Sequence, residues 1–243
     1  MNCPVEPQEP SKPEGNDTLL EAGIGCLCAA DPDMAQLLGP RTATIISALE
    51  TYIQEIERFN PVYKLVGARN REELVVKHLL DSLCPLGIIF RLAQAMPGFP
   101  LRIADAGSGA GLPGIPLAIS LAHSERYRFT LIERMGRRAG FLRTIQAVLG
   151  LRNVVVEEGE MEKAAPGRFQ LITFRAFRPL EPKLLKGLFR LLAPGGALLA
   201  YKGREAAITA ELSRVEAGIG SWERIPLTVP FLNEERHLLV LRD

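Results

Sequence analysis

Ile103-Ala104-Asp105-Ala106-Gly107-Ser108-Gly109-Ala110-Gly111-Leu112-Pro113-Gly114 is the stretch on which the fold turns. The apolar run Leu101–Asp105 that leads into it reads as a short strand. The segment Pro113–Ala122 that follows reads as a helix. Between them, glycine recurs at alternate positions. Glycine lets the backbone turn with positive φ and lets a ligand approach with no Cβ in the way. Ligands of open α/β sheets bind at the carboxyl ends of the strands, where this loop lies. A bare glycine-rich turn is the alternative, but strand, glycines and helix stand in the order that a ligand loop requires.

Downstream, strands and helices continue to alternate. Tyr127–Glu133, Asn153–Glu157, Phe169–Phe174 and Ala197–Lys202 read as strands, the last entered through a Pro194-Gly195-Gly196 turn. Met135–Leu149, Pro182–Leu192 and residues 205–217 read as helices. Such alternation gives a mainly parallel sheet covered on both faces. Trp222–Leu227 and His237–Leu241 have no helix between them and predict an antiparallel pair at one edge.

Upstream, Ile45, Leu49, Ile53 and Ile56 recur at helical spacing and predict a helix from Thr44 to Phe59, stopped by Asn60-Pro61. A second helix opens at Asn70 with Glu73 as a box-like cap, and carries Leu74, Val75, His78 and Leu79. Leu19, Leu20, Met34, Leu37 and Leu38 offer one or two short helices. Residues 1–16 hold four prolines and little apolar surface, and are expected to be disordered. The organisation expected is therefore an acidic, proline-rich leader over 1–16, a helical cap over 17–95 and a core over 96–243, with cap and core forming one unit.

The chain has 243 residues, of which 47% are hydrophobic and 23% charged. That excludes a fibrous or largely disordered protein. It carries no apolar run of 18 residues and no secretory signal at its start, so neither a membrane partner nor export is expected, and a reducing cytoplasm is the default. Cys3, Cys26, Cys28 and Cys84 show no Cys-x-x-Cys spacing, and with only His78, His123 and His237 beside them no metal site is expected. The net charge of +1 hides an asymmetry. Residues 1–40 hold one base, Lys12, against seven acids and sum to −6, which leaves the body at +7. A basic body permits a nucleic-acid partner without demanding one.

Two ligands compete for the loop. Gly109-x-Gly111-x-x-Gly114 fits a dinucleotide fingerprint, whereas Asp105-x-Gly107-x-Gly109-x-Gly111 fits the first motif of S-adenosylmethionine methyltransferases. Asp105 at the mouth of the loop would repel a pyrophosphate and favour the ammonium and sulfonium of S-adenosylmethionine. Pro113 removes a backbone donor from the helix start, where an anion would want one. Glu133, 22 residues after Gly111, ends the second strand and can accept ribose hydroxyls in either case.

At this point the sequence resembles the glucose-inhibited division protein B family, the small-subunit ribosomal RNA guanine-N7 methyltransferases. The resemblance spans roughly residues 43–242. It is carried by Phe59-Asn60-Pro61-Val62-Tyr63-Lys64-Leu65, by Glu72-Glu73-Leu74-Val75-Val76-Lys77-His78-Leu79-Leu80-Asp81-Ser82-Leu83 and by Asp105 through Pro116. It continues in Arg137–Arg143, Phe174-Arg175-Ala176-Phe177, Pro194-Gly195-Gly196, Tyr201-Lys202-Gly203 and Glu235-Arg236-His237. The resemblance implies a Rossmann-like class I methyltransferase. It would have a seven-stranded, mostly parallel sheet, an antiparallel C-terminal edge and an N-terminal helical cap. S-adenosylmethionine is then the implied methyl donor. The acceptor is a guanine of 16S ribosomal RNA near the decoding centre, met as RNA or as a small-subunit precursor by a monomer. Residue by residue, cofactor contacts fall on Gly107 and Leu112, and on Met161 and Glu162 beside the adenine, Met161 through its backbone. Two departures stand out: Glu160-Met161-Glu162 replaces the family's Arg-Ala-Glu, and Lys64 stands where the family has Asn.

Guanine N7 carries a lone pair and no proton, so its methylation needs alignment and no general base. Arg175, at the end of the fourth strand, is the residue expected to orient or charge-stabilise the reactants, through a phosphate, the guanine O6 or the cofactor carboxylate. A structural ion pair is its competing role. The cofactor set expected is Asp105, Gly107, Gly109, Gly111, Leu112, Glu133, Met161, Glu162 and Arg175. For RNA the candidates are Arg134, Arg137 and Arg138 on one helix side, Lys202, Lys77 and, as a base-stacking aromatic, Phe177. Solvated helix faces compete for the basic residues, and core packing competes for Phe177. His78 is either a structural hydrogen bond or a substrate contact. Three other functions compete: a small-molecule or protein methyltransferase, an NAD(P)-dependent oxidoreductase, and an inactive cofactor-binding regulator.

Overall fold

The computed structural model describes residues 18–175 and 180–243. The leader 1–16, expected to be disordered, and Phe177 both lie outside the described residues. A single seven-stranded sheet has the order β3-β2-β1-β4-β5-β7-β6. Its strands are β1 Leu101–Ala106, β2 Tyr127–Glu133, β3 Val154–Glu158, β4 Phe169–Arg175, β5 Leu192–Lys202, β6 Ser221–Leu227 and β7 Arg236–Arg242. The first five run parallel, and β7 enters antiparallel between β5 and β6. The Pro194-Gly195-Gly196 turn is absorbed into β5, whose pairing with β4 slips between Phe169 and Leu171.

Period-two alternation sends successive side chains to opposite faces. From β1, Leu101 and Ile103 join one core cluster, while Ala104 and Ala106 join the other. From β7, Leu238 and Val240 separate from Leu239 and Leu241 in the same way. Helices α7 Gly114–Ser120 and α8 Gly136–Val148 cover the first face, and α9 Pro182–Leu191 with α10 Glu205–Leu212 covers the second. The helix expected over 205–217 ends at Leu212, and a 3-10 turn follows at Glu216–Gly218.

The N-terminal helices α1 Leu19–Ala30, α2 Pro32–Leu38, α3 Thr42–Tyr63 and α6 Leu86–Gln94 bury their apolar stripes in the same cluster as α7 and α8. Between α3 and α6, one helical rod changes pitch. It is α-helical at α4 Arg71–Leu74, π-helical over Val75–Leu80 and α-helical again at α5 Asp81–Leu83. Asn70 caps it, accepting from the Glu73 N–H at 2.8 Å, while Glu73 takes the Arg69 N–H at 2.9 Å in place of the reciprocal bond of a capping box.

Helix α3 passes through Asn60-Pro61 and ends only at Tyr63, correcting the stop expected there. A proline in the last turn forfeits one hydrogen bond, and the helix tolerates it. Asn60 reinforces the end by bonding both the N–H and the carbonyl of Val66, at 3.0 and 3.1 Å. The C-cap is Lys64, in the left-handed region at φ 50. Asn adopts that conformation more readily than other side chains, which gives the departure at this position a conformational meaning. Lys64→Asn is expected to raise the unfolding free energy by roughly 0.5–1 kcal/mol, read as a shifted urea midpoint at unchanged slope.

Among the described residues no helix is long and apolar enough to cross a membrane.

Candidate active site

The glycine loop leaves β1 with three positive φ angles, 70 at Gly107, 58 at Gly109 and 96 at Gly111. An added Cβ at Gly109 would meet nothing nearer than the Gly107 carbonyl at 3.9 Å, so that face is open. Gly111 and Gly114 are tight. A Cβ on Gly111 would lie 2.5 Å from Ile115 and 3.2 Å from the Tyr52 hydroxyl, and one on Gly114 would lie 2.5 Å from Leu131 and 2.7 Å from the Asp105 carboxylate. The loop is pinned from α3 as well, because the buried Tyr52 hydroxyl donates to the Ala110 carbonyl at 2.7 Å. Tyr52 was missed in the sequence, although it sits among Ile45, Leu49, Ile53 and Ile56 as the one polar tip of an apolar stripe.

The loop spends most of its own N–H groups internally. Gly107 and Ser108 donate to the Ile132 carbonyl, and Gly111 and Leu112 to the Ser108 carbonyl. Gly109 donates to Glu133 at 2.9 Å and Gly114 to Asp105 at 3.2 Å, while Pro113 has no N–H to give. A pyrophosphate would need these donors. The dinucleotide reading therefore fails for lack of donors.

The electrostatic reason expected for that failure needs correcting. Asp105 is 1% exposed and faces inward, beneath the loop, bonded to Gly114 N–H and to Thr173 Oγ1 at 3.2 Å. Alternation on β1 turns it toward the sheet neighbour Thr173 and away from the mouth. Burial pushes its carboxyl up to about 6, against the opposing pull of the Gly114, Ser108 and Thr173 hydrogen bonds and the Arg175 charge. A carboxyl whose folded value is raised above its unfolded one contributes stability at low pH that is lost as pH rises. Relative to Asp105→Asn, the native protein is expected to lose about 2 kcal/mol of unfolding free energy between pH 4 and pH 7, measured by urea titration at each pH.

Glu133 closes β2, 4% exposed, with one carboxylate oxygen on the Gly109 N–H and the other on the Met135 N–H at 2.8 Å. This stands at the open face of Gly109. Beyond β3, Met161 is buried in a 3-10 turn Met161–Lys163 that also holds Glu162, whose side chain is not among those described. Leu112 is buried against the first core cluster. An open glycine face, a strand-end carboxylate and a buried thioether thus sit at the ends of three adjacent parallel strands. The combination suits a nucleoside with a cationic amino-acid tail better than an anion.

A second cluster lies along the rim. Arg175, at the end of β4, folds onto the π-helical segment. Its Nη1 donates to Asp81 Oδ2 at 2.9 Å and lies 3.4 Å from the carbonyls of Lys77 and His78, and its Nη2 lies 3.2 Å from His78 Nδ1. Asp81 Oδ1 takes Arg236 Nε at 3.2 Å, so one carboxylate holds two guanidinium groups. Antiparallel β7 is what brings Arg236 here, since its first residues stand beside the last of β5. His237 Nδ1 lies 2.7 Å from the Gly203 carbonyl. Motifs separated by more than 150 residues of chain thereby meet at one place.

The basic residues divide into two groups. Lys77 pairs with Glu234 at 2.9 Å, and Lys202 pairs with Glu211 at 2.6 Å. Both are expected on RNA, and both are tied to carboxylates, Lys77 also lying 3.6 Å from Glu73 one helical turn before it. Arg134 and Arg137 are exposed at the start of α8, next to Glu133, with no ion pair among the described residues, and Arg138 beside them is half-buried. Arg143 pairs with Glu158 at 3.0 Å. Cationic side chains oppose the dipole at a helix start, and an anionic partner would relieve that opposition.

Comparison with known proteins agrees with this geometry. Residues 45–239 match the family model described as rRNA small subunit methyltransferase G. A protein of Treponema denticola named ribosomal RNA small subunit methyltransferase G is 36% identical over 215 residues, covering 79% of this chain and 84% of that protein. Its namesake in Treponema pallidum is 40% identical over 212 residues, covering 86% and 90%. Among solved structures, the CurJ carbon methyltransferase superposes with a TM-score of 0.57 at 14% identity over 90% of this chain and 69% of that one. A SAM-dependent methyltransferase from Aquifex aeolicus gives 0.53 at 15% identity, covering 79% and 98%.

Proposed function

This chain belongs to the rRNA small subunit methyltransferase G family, a family of S-adenosylmethionine-dependent enzymes, and from that premise we propose that it methylates N7 of a guanine in 16S ribosomal RNA near the decoding centre. The observation that supports the N7 assignment is that the acids and the histidine described beside the crevice are already engaged. Asp105 is bonded to Gly114 and Thr173, Glu133 to two backbone N–H groups, Asp81 to two arginines, and His78 Nδ1 to Arg175. None of these groups is free to remove a proton, and N7 has none to remove.

When bound, S-adenosylmethionine supplies an electrophilic methyl carbon on a sulfonium. The chain's residues hold the reactants in line. The open face of Gly109, with Gly107, Gly111 and Leu112, shapes the seat of the methionine end. Glu133 accepts the ribose hydroxyls through the lone pairs left on its two oxygens. Met161 and Glu162 flank the adenine. Asp105 acts from below, as the brace of the loop. Arg175 stands where cofactor and base meet. Proximity and alignment of this kind account for most of what such a displacement needs.

Arg134, Arg137 and Arg138 supply phosphate contacts for the RNA. Arg134→Ala combined with Arg137→Ala is expected to flatten the dependence of log affinity on log salt by about 1–2, with cofactor affinity unchanged. The function itself is tested by mass mapping of 16S RNA from cells with and without this protein. A 7-methylguanosine that disappears with the gene product supports it. An unchanged methylation map overturns it.

A further inference from the structure

We propose that His78 reads the acceptor base, donating a hydrogen bond from Nε2 to the guanine O6. This inference rests on the function proposed above and adds a specificity-determining contact to it.

The first observation is the fixed tautomer. A guanidinium can only donate, so Arg175 Nη2, 3.2 Å from His78 Nδ1, makes that nitrogen the acceptor. The proton of a neutral imidazole then sits on Nε2. The second is availability. His78 is half-buried, and its Nε2 has no partner among the described residues and is not a buried orphan, so it is open to a ligand. The third is position. His78 lies on the π-helical segment Val75–Leu80, held against the end of β4 by Arg175, whose charge also reaches Asp105 beneath the glycine loop. Single π-helical turns inside α-helices recur at functional sites.

The chemistry selects the base. Guanine presents O6, an acceptor, at the position where adenine presents an amino donor. A lone N–H donor accepts the first and rejects the second. A neutral donor also adds no further positive charge, beyond that of Arg175, beside a purine that methyl transfer to N7 makes cationic. Burial, and next to it the Arg175 charge, draw the His78 imidazole down to about 4, so it is neutral wherever a cytoplasmic enzyme works.

The test crosses enzyme with substrate. The guanine methylated by the native protein is first located by mass mapping. Small-subunit RNA is then assembled with guanine or with 2-aminopurine, which keeps N7 and lacks O6, at that position. Labelled methyl transfer is measured for the native protein, His78→Phe and His78→Gln. The native protein is expected to lose roughly 10- to 100-fold on the 2-aminopurine RNA. His78→Phe should lose a similar factor on guanine and nothing further on 2-aminopurine, while His78→Gln, which keeps a donor, recovers part of the preference for guanine. Unaltered affinity for S-adenosylhomocysteine verifies that the variants are folded. Equal use of both RNAs by the native protein overturns the inference without any variant, as do losses that simply multiply in His78→Phe. Absence of transfer by the native protein to the guanine RNA would instead overturn the proposed function, and the inference with it.

Discussion

Asp81→Ala is expected to lower the free energy of unfolding by about 3–5 kcal/mol, read by urea denaturation at neutral pH. The Asp81 side chain is 7% exposed, and it stands between Arg175, 15% exposed, and Arg236. Removing the carboxylate leaves two guanidinium groups largely cut off from water and facing each other. The cost of such a change comes from the stranded charges more than from the lost attraction. Asp81→Asn keeps the shape and one acceptor and should recover part of the loss. Arg236 retains Glu234 at 2.9 Å and the Glu235 carbonyl, so Arg175 is the group most exposed to the change. A loss below 1 kcal/mol would show the cluster to be an ordinary surface network.

Gly111→Ala is expected to destabilise the protein by roughly 2–4 kcal/mol and to weaken S-adenosylhomocysteine binding more than tenfold, measured by calorimetry. Two penalties coincide. The φ of 96 is one that L side chains rarely adopt, and the new methyl would press on Ile115 at 2.5 Å and Leu142 at 3.0 Å. Those neighbours are buried and cannot yield without moving α7 or α8. Gly109→Ala separates the two effects. It carries the positive φ without the collision, so its stability cost should be about 1–2 kcal/mol. It puts a methyl on the open face, so its binding loss should be comparable. If Gly111→Ala matches Gly109→Ala in stability, the packing argument is wrong.

The parts of this architecture that the sequence disclosed are those written in local periodicity. The alternation on β1, β2 and β4, the 3.6-residue stripe of α3 and the glycines after β1 each follow from a few neighbouring residues. What the sequence concealed depends on partners far along the chain. The engagement of Lys77 by Glu234 leaves no local signature. Nor does the sharing of Asp81 by Arg175 and Arg236. The π-helical pitch of Val75–Leu80 is invisible for another reason, since its apolar positions fit an α-helix equally well. Asp105 was recognised as part of the loop motif, yet its inward direction followed from strand alternation that the motif alone does not express.

The insertion of β7 between β5 and β6 makes the sheet vulnerable to premature termination. β6 has β7 as its strand neighbour, so a stop codon shortly after Leu227 would orphan a strand already synthesised as well as delete the missing one. The same truncation would strip β5 of a partner, expose the apolar residues Leu198 to Tyr201 along a raw edge, and take Arg236 from the rim. A nonsense allele between Leu227 and Arg236 should therefore behave as a null and as a substrate for proteolysis, not as an enzyme with a shortened tail.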